Sequence, residues 1–212
     1  VQIVKREDSS NYVYHWIKTD TESDDPDVLF PAAFDVIKSI IHDGVIRGSD
    51  KFIIGKDKCV CFTESPRNFI VSDVSRYQPF GFGFSKKRIF EMGGRPVIYQ
   101  PSSELPLIDK SIRWRHVQYD PVTETTTNKL GVDFTWEREW RLKADEIDIL
   151  ECVEIVVPSQ KYAKAINDWI DAGIDFTMWR NDVSYGYPVP DEPYISYDER
   201  FRSIILTLAD EI

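Results

Sequence analysis

Trp136-Glu137-Arg138-Glu139-Trp140-Arg141 is the stretch on which the reading of this chain turns. Two tryptophans four residues apart enclose three charged residues, a spacing that puts both tryptophans on one face of a strand. Read as a strand, it sets Glu137, Glu139 and Arg141 on one face and Trp136, Arg138 and Trp140 on the other. Carboxylates spaced i, i+2 on one face raise each other's pKa, and an adjacent arginine holds one of them ionised. Two roles stay open for such a pair. A fixed glutamate can bind a sugar hydroxyl or stabilise positive charge on an anomeric carbon. Alternatively, the stretch is a charged strand edge held by cross-strand pairs, with the tryptophans on the core side.

The surrounding pattern supplies further strands and few helices. Asn11 to Ile17 is rich in aromatic and β-branched types and reads as a strand, as does the apolar run Cys59-Val60-Cys61-Phe62. Phe80-Gly81-Phe82-Gly83-Phe84 reads as a strand with three phenylalanines on one face and a bare opposite face, which admits a close backbone or a ligand. Strands are also expected at residues 96–99, 136–142, 152–157, 176–179 and 204–208. From Pro31, the residues Ala33, Phe34, Ile37, Ile40 and Ile41 fall at helical spacing, with Gly44 as the stop. Ser85 suits the N-cap of a short helix to Met92, and Ala163, Ile166, Trp169 and Ile170 form one face of another. Strands and helices do not alternate as βαβ units. The expected fold is therefore α+β, with mixed, largely antiparallel sheets and a few flanking helices, in one domain over residues 1–212.

Composition narrows the function. The 212 residues are 42% hydrophobic and 13% aromatic, enough for a sizeable core. The net charge of −10 gives no long-range attraction to nucleic-acid phosphates, although a local basic cleft is compatible with it. Three cysteines without a CxxC, and three histidines, suggest reduced thiols and no metal site. No apolar run reaches membrane-spanning length, and a cytoplasmic location is expected. Among single residues, His15 stands between aromatics on its strand, where it can donate to a ligand hydroxyl or sit satisfied in a core. Thr63 and Ser65 end a strand, where hydroxyls bind polar ligands or shape a turn. Gly81-x-Gly83 lacks the third glycine of a dinucleotide fingerprint. A Mg²⁺ nuclease is a weaker option, lacking a second carboxylate cluster.

The order of these motifs resembles a bacterial family of abortive phage infection proteins. The resemblance runs through His15, Asp43-Gly44-Val45-Ile46, Val60 to Pro66, Tyr77 to Lys86, Gly94-Arg95-Pro96-Val97-Ile98-Tyr99 and Glu137 to Arg141. It covers residues 12–142; residues 145–212 resemble nothing familiar. That family is distantly similar to ADP-ribosyltransferase-like toxins. The resemblance thus implies an ADP-ribosyltransferase-like fold and NAD as substrate, with ADP-ribose passed to a nucleic-acid or protein acceptor, or to water. His15 would take the first-strand position. Thr63 and Ser65, or Tyr77, would take the second, and Glu139 would be the catalytic acid with Glu137 in support. Tyr77, Phe80 or Phe82 would stack on nicotinamide, and Arg47 is the nearest candidate for its arginine. The same resemblance admits a non-catalytic partner, a cognate toxin's antitoxin for instance, with residues 181–197 as its contact surface.

Overall fold

A computed structural model describes residues 10–21, 23, 25–67, 77–122, 131–171 and 205–208. Its first elements are β1 (Tyr12–Trp16), α1 (Pro26–Asp43), β2 (Val45–Arg47), β3 (Cys59–Thr63), β4 (Gly81–Ser85) and α2 (Lys86–Glu91). Then follow β5 (Arg95–Pro96), β6 (Ile98–Gln100), β7 (His116–Gln118), β8 (Glu139–Lys143) and β9 (Glu146–Asp148). Last come β10 (Cys152–Val157), α3 (Gln160–Asp171) and β11 (Ile205–Leu208). Short 3₁₀ turns occupy Ser102–Leu107, Lys110–Arg115, Thr135–Glu137 and Ile149–Glu151. This is a mixed α+β fold with mostly antiparallel pairing and few helices. Among the described residues no helix is long and apolar enough to cross a membrane. By internal contacts the chain divides into two units. One comprises Val1–His15, Arg47–Pro66 and Phe84–Ile147; the other comprises Trp16–Ile46, Arg67–Gly83 and Asp148–Ile212.

In the first unit β3 lies between β1 and β8, and β5 follows at the edge. β3 and β8 are antiparallel over five positions, from Cys59↔Lys143 to Thr63↔Glu139. β1 joins with Tyr14↔Thr63, and β5 with Arg95↔Arg141 and Pro96↔Trp140. Pro96 has no N–H to donate, which suits an edge strand. Directly paired residues share a face, so the register defines two surfaces. Val60, Phe62, Trp140 and Leu142 form the apolar one, all buried. Phe62 meets Phe84 edge-on at 5.4 Å, and Phe90 of α2 meets Trp140 at 6.5 Å. The other surface carries Cys59, Cys61, Thr63, Glu139 and Arg141, with Ile53 and Trp114 packed at its Cys59 end. Nearby, β6 and β7 pair in parallel, Ile98↔His116 through Gln100↔Gln118.

The second unit contains α1, whose buried residues Leu29, Ala33, Ile37 and Ile41 recur every four positions along one face. The helix begins earlier than the apolar spacing suggests. Asp25 caps it by accepting from the Asp27 N–H at 2.9 Å, and Pro26 opens the first turn, which leaves Pro31 inside the helix. Gly44 ends it at φ 74°, where its N–H reaches the Ile40 carbonyl at 2.9 Å. Phe30, Phe34, Phe80 and Tyr162 form an aromatic cluster with ring centroids 5.0–6.3 Å apart. β10 and β11 run parallel from Glu154↔Ile205 to Val157↔Leu208. α3 buries Ala163, Ile166 and Ile170. The strand expected at residues 176–179 lies outside the described residues.

Candidate functional site

The site is built on the start of β8. The expected strand over residues 136–142 begins late. Thr135–Glu137 is a 3₁₀ turn and Arg138 adopts the left-handed conformation at φ 46°. Strand alternation therefore starts at Glu139 and gathers Glu139, Arg141 and Lys143 on one face. Glu137 is not on that strand face. It reaches the same neighbourhood from the turn, since its charge acts on the Tyr99 phenol together with that of Glu139. The left-handed residue is a non-glycine, which costs backbone energy. Two bonds tie the turn to the end of β3. The Ser65 hydroxyl donates to the Trp136 carbonyl, and the Glu64 N–H donates to the Arg138 carbonyl at 3.2 Å.

Glu139 is engaged on both carboxylate oxygens. Arg141 Nε donates to Oε1 at 2.7 Å and Nη2 to Oε2 at 3.3 Å, a bidentate fork. Arg141 Nη1 donates to the carbonyls of Trp114 at 2.6 Å and His116 at 3.1 Å. The two side chains are only 12% and 6% exposed. Burial works against the Arg141 charge, but the Glu139 carboxylate and its hydrogen bonds more than offset it, and the guanidinium pKa lies above its ordinary value. The Tyr99 hydroxyl accepts from the Glu139 N–H at 3.0 Å. Burial, with the two nearby carboxylates, pushes the Tyr99 phenol up to about 12. Burial, then the Glu139 charge and a hydrogen bond to it, pushes the Cys61 thiol well above its usual range.

The register separates residues that the sequence grouped together. Thr63 pairs with Glu139 and shares its face. His15 follows Tyr14, which pairs with Thr63, so His15 turns to the opposite face and meets Phe62 edge-on at 6.3 Å. Its Nδ1 lies 2.9 Å from the Cys61 carbonyl. Burial holds its pKa below the ordinary value despite that bond. His15 is thus not brought together with Thr63 and Glu139. Ser65 is buried and committed to Trp136. Arg47 is exposed at the end of β2. Tyr77, half-buried, belongs to the second unit, as do Phe80 and Phe82. Phe80 and Phe82 are fully buried, which leaves neither ring a face for a ligand. Gly81 and Gly83 are buried too, so the bare side of β4 is covered.

Glu64 emerges as a second buried carboxylate that the reading of hydroxyls around it passed over. It lies on the opposite face from Glu139 and is 8% exposed. Trp140 Nε1 donates to its Oε2 at 2.8 Å; Lys86 Nζ and Arg138 Nη2 donate to its Oε1 at 3.0 and 3.2 Å. An open depression of about 430 Å³ lies beside it, lined by Asn11, Ser85, Lys86, Lys87, Phe90 and Trp140. Tyr99 was likewise visible in the sequence only as a strand residue, whereas an arginine beside the paired carboxylates was expected to bind one of them, and Arg141 binds Glu139. Among the described residues no group of His, Cys, Asp and Glu is placed to hold a metal ion. Comparison with protein families, characterised proteins and solved structures finds no match for this chain.

Proposed function

We propose that the chain is a non-catalytic interaction module, the partner or neutraliser within a two-component phage-defence pair. The observation that carries this reading is the bidentate Glu139–Arg141 pair. A catalytic carboxylate must be able to face developing charge on a substrate. Here both oxygens are bound to a guanidinium that is itself tied to two main-chain carbonyls. The position of His15 on the other face removes a second member of the expected constellation. A positive indication of contact comes from Phe52. It is 83% exposed and held at φ 63°, a costly conformation for a bulky residue. Motif order supplies the phage-defence context. The contact surface expected at residues 181–197 lies outside the described residues.

A second reading keeps an observation of its own. Thr63 and Glu139 are direct neighbours on one face, with Tyr99 beside them. An NAD-using transferase or glycohydrolase of ADP-ribosyltransferase-like fold would draw on those three groups after Arg141 released the carboxylate. One experiment separates the readings. Wild type and Glu139→Gln are incubated with labelled NAD and a cell lysate, scored for label on DNA, RNA and protein and for free nicotinamide. The module reading expects no turnover by either protein, and retention of a co-expressed partner that Phe52→Ser loses. Turnover by wild type that Glu139→Gln abolishes would establish the transferase reading instead.

A further inference from the structure

The edge of the first unit's sheet holds two guanidiniums that form no ion pair among the described residues. Arg95 is on β5 and Arg115 ends the 3₁₀ turn before β7; both are half-buried. Arg115 Nε donates to the Pro96 carbonyl at 3.0 Å, which fixes it against the residue that follows Arg95. Arg95 Nη1 donates to the carbonyls of Phe90 at 2.8 Å and Gly94 at 2.7 Å. The Arg95 guanidinium also lies over the Phe90 ring, 3.9 Å from its centroid. Among the described residues neither arginine forms an ion pair. Burial, then repulsion from Arg95, lowers the Arg115 pKa. The carbonyls that hold the two guanidiniums, those of Gly94 and Pro96, are two residues apart in the chain, and this places two like charges side by side in a protein of net charge −10.

We infer that Arg95 and Arg115 together form a binding site for a phosphate group at the β5 edge. Main-chain carbonyls hold one side of each guanidinium, so the side chains are preorganised before a ligand arrives. Arg115 Nη1 and Nη2 and Arg95 Nε and Nη2 make no hydrogen bond among the described residues and remain available as donors. One arginine fork suffices for a carboxylate, which has two oxygens. Two forks on neighbouring side chains match the three terminal oxygens of a phosphate, and its charge relieves their repulsion. The Glu139–Arg141 pair is not used, so the site stands whichever functional reading holds.

The test is a titration of the full chain with pyrophosphate and, separately, inorganic phosphate, followed by the side-chain Nε–H resonances of ¹⁵N-arginine. Acetate and sodium chloride at matched ionic strength are the controls. The expected result is a saturable shift confined to Arg95 and Arg115 with the phosphates, weakened at least tenfold in Arg115→Gln and less in Arg115→Lys. Thermal unfolding checks that each variant is folded. If neither variant folds, the wild-type resonances decide alone. Shifts equal to those in sodium chloride, equal binding of acetate, or wild-type affinity in folded Arg115→Gln would each overturn the assignment.

Discussion

Replacing Arg141 by methionine is the sharpest perturbation of this protein. The side chain is 6% exposed and makes four hydrogen bonds, two to Glu139 and two to main-chain carbonyls. Removing one partner of a buried ion pair strands the other charge, at a cost of about 3–5 kcal/mol. Each carbonyl left without a donor adds about 1–3 kcal/mol where water cannot reach it. Glu139 is 12% exposed, so some water compensates. A loss of about 4 kcal/mol is expected, a large part of the roughly 5–15 kcal/mol that holds a domain together. For a chain of this length that corresponds to a fall in Tm of about 8–16 °C. Glu139→Gln keeps the shape and one acceptor but strands the Arg141 charge, which keeps its two carbonyl partners, so its cost should fall at the lower end of the range for a broken ion pair, about 3 kcal/mol. Because the residues act on each other, the double variant should be more stable than the two separate losses imply, by about 1–3 kcal/mol. Urea unfolding of the four proteins, followed by tryptophan fluorescence, measures the cycle. A loss below about 1 kcal/mol for Arg141→Met, or strict additivity, would refute a buried coupled pair.

Other consequences follow from the same contacts. The folded pKa of His15 is lowered, so the unfolded chain takes up its proton first as pH falls. Stability should decline from about pH 6.5 down to the lowered folded value, and His15→Gln should remove that slope in pH-dependent urea midpoints. Burial raises the Cys59 thiol to about 11 and the Cys152 thiol to about 12, and Cys61 donates to Glu139. All three should react with a thiol reagent at pH 8 only slowly until the protein is unfolded, and Cys61 should react faster in Glu139→Gln. A Cβ on Gly94 would stand 2.8 Å from the Ile89 carbonyl, so Gly94→Ala should cost about 1–3 kcal/mol in thermal unfolding.

Periodicity and turn chemistry made much of the fold legible. The apolar run of β3, the caps Ser85 and Gly44, and the buried face of α3 follow from local pattern alone. Where the pattern misled, a backbone feature had intervened. Alternation across residues 136–141 looks like an unbroken strand, yet the left-handed Arg138 breaks it and moves Glu137 off the strand face. The apolar spacing from Ala33 hid the true start of α1, because Asp25-Pro26 carries its signal in cap chemistry rather than hydrophobicity. The site was harder to read. Thr63 and Glu139 could be placed on strands, but their adjacency, and the exclusion of His15, depend on inter-strand register. A one-residue slip would have reversed that outcome, and no local pattern fixes it here. The hub at Glu64 depends on the same register, since its partners come from β8 and α2.

Arg141 occupies both oxygens of Glu139, and side-chain NMR of ¹⁵N-arginine protein tests that engagement without a substrate. The expected result is an Arg141 Nε–H that exchanges slowly with solvent, with hindered rotation of its Nη groups, both lost in Glu139→Gln. An Arg141 Nε–H exchanging as fast as that of a solvent-exposed arginine would mean the carboxylate is free to meet a substrate, and would contradict it.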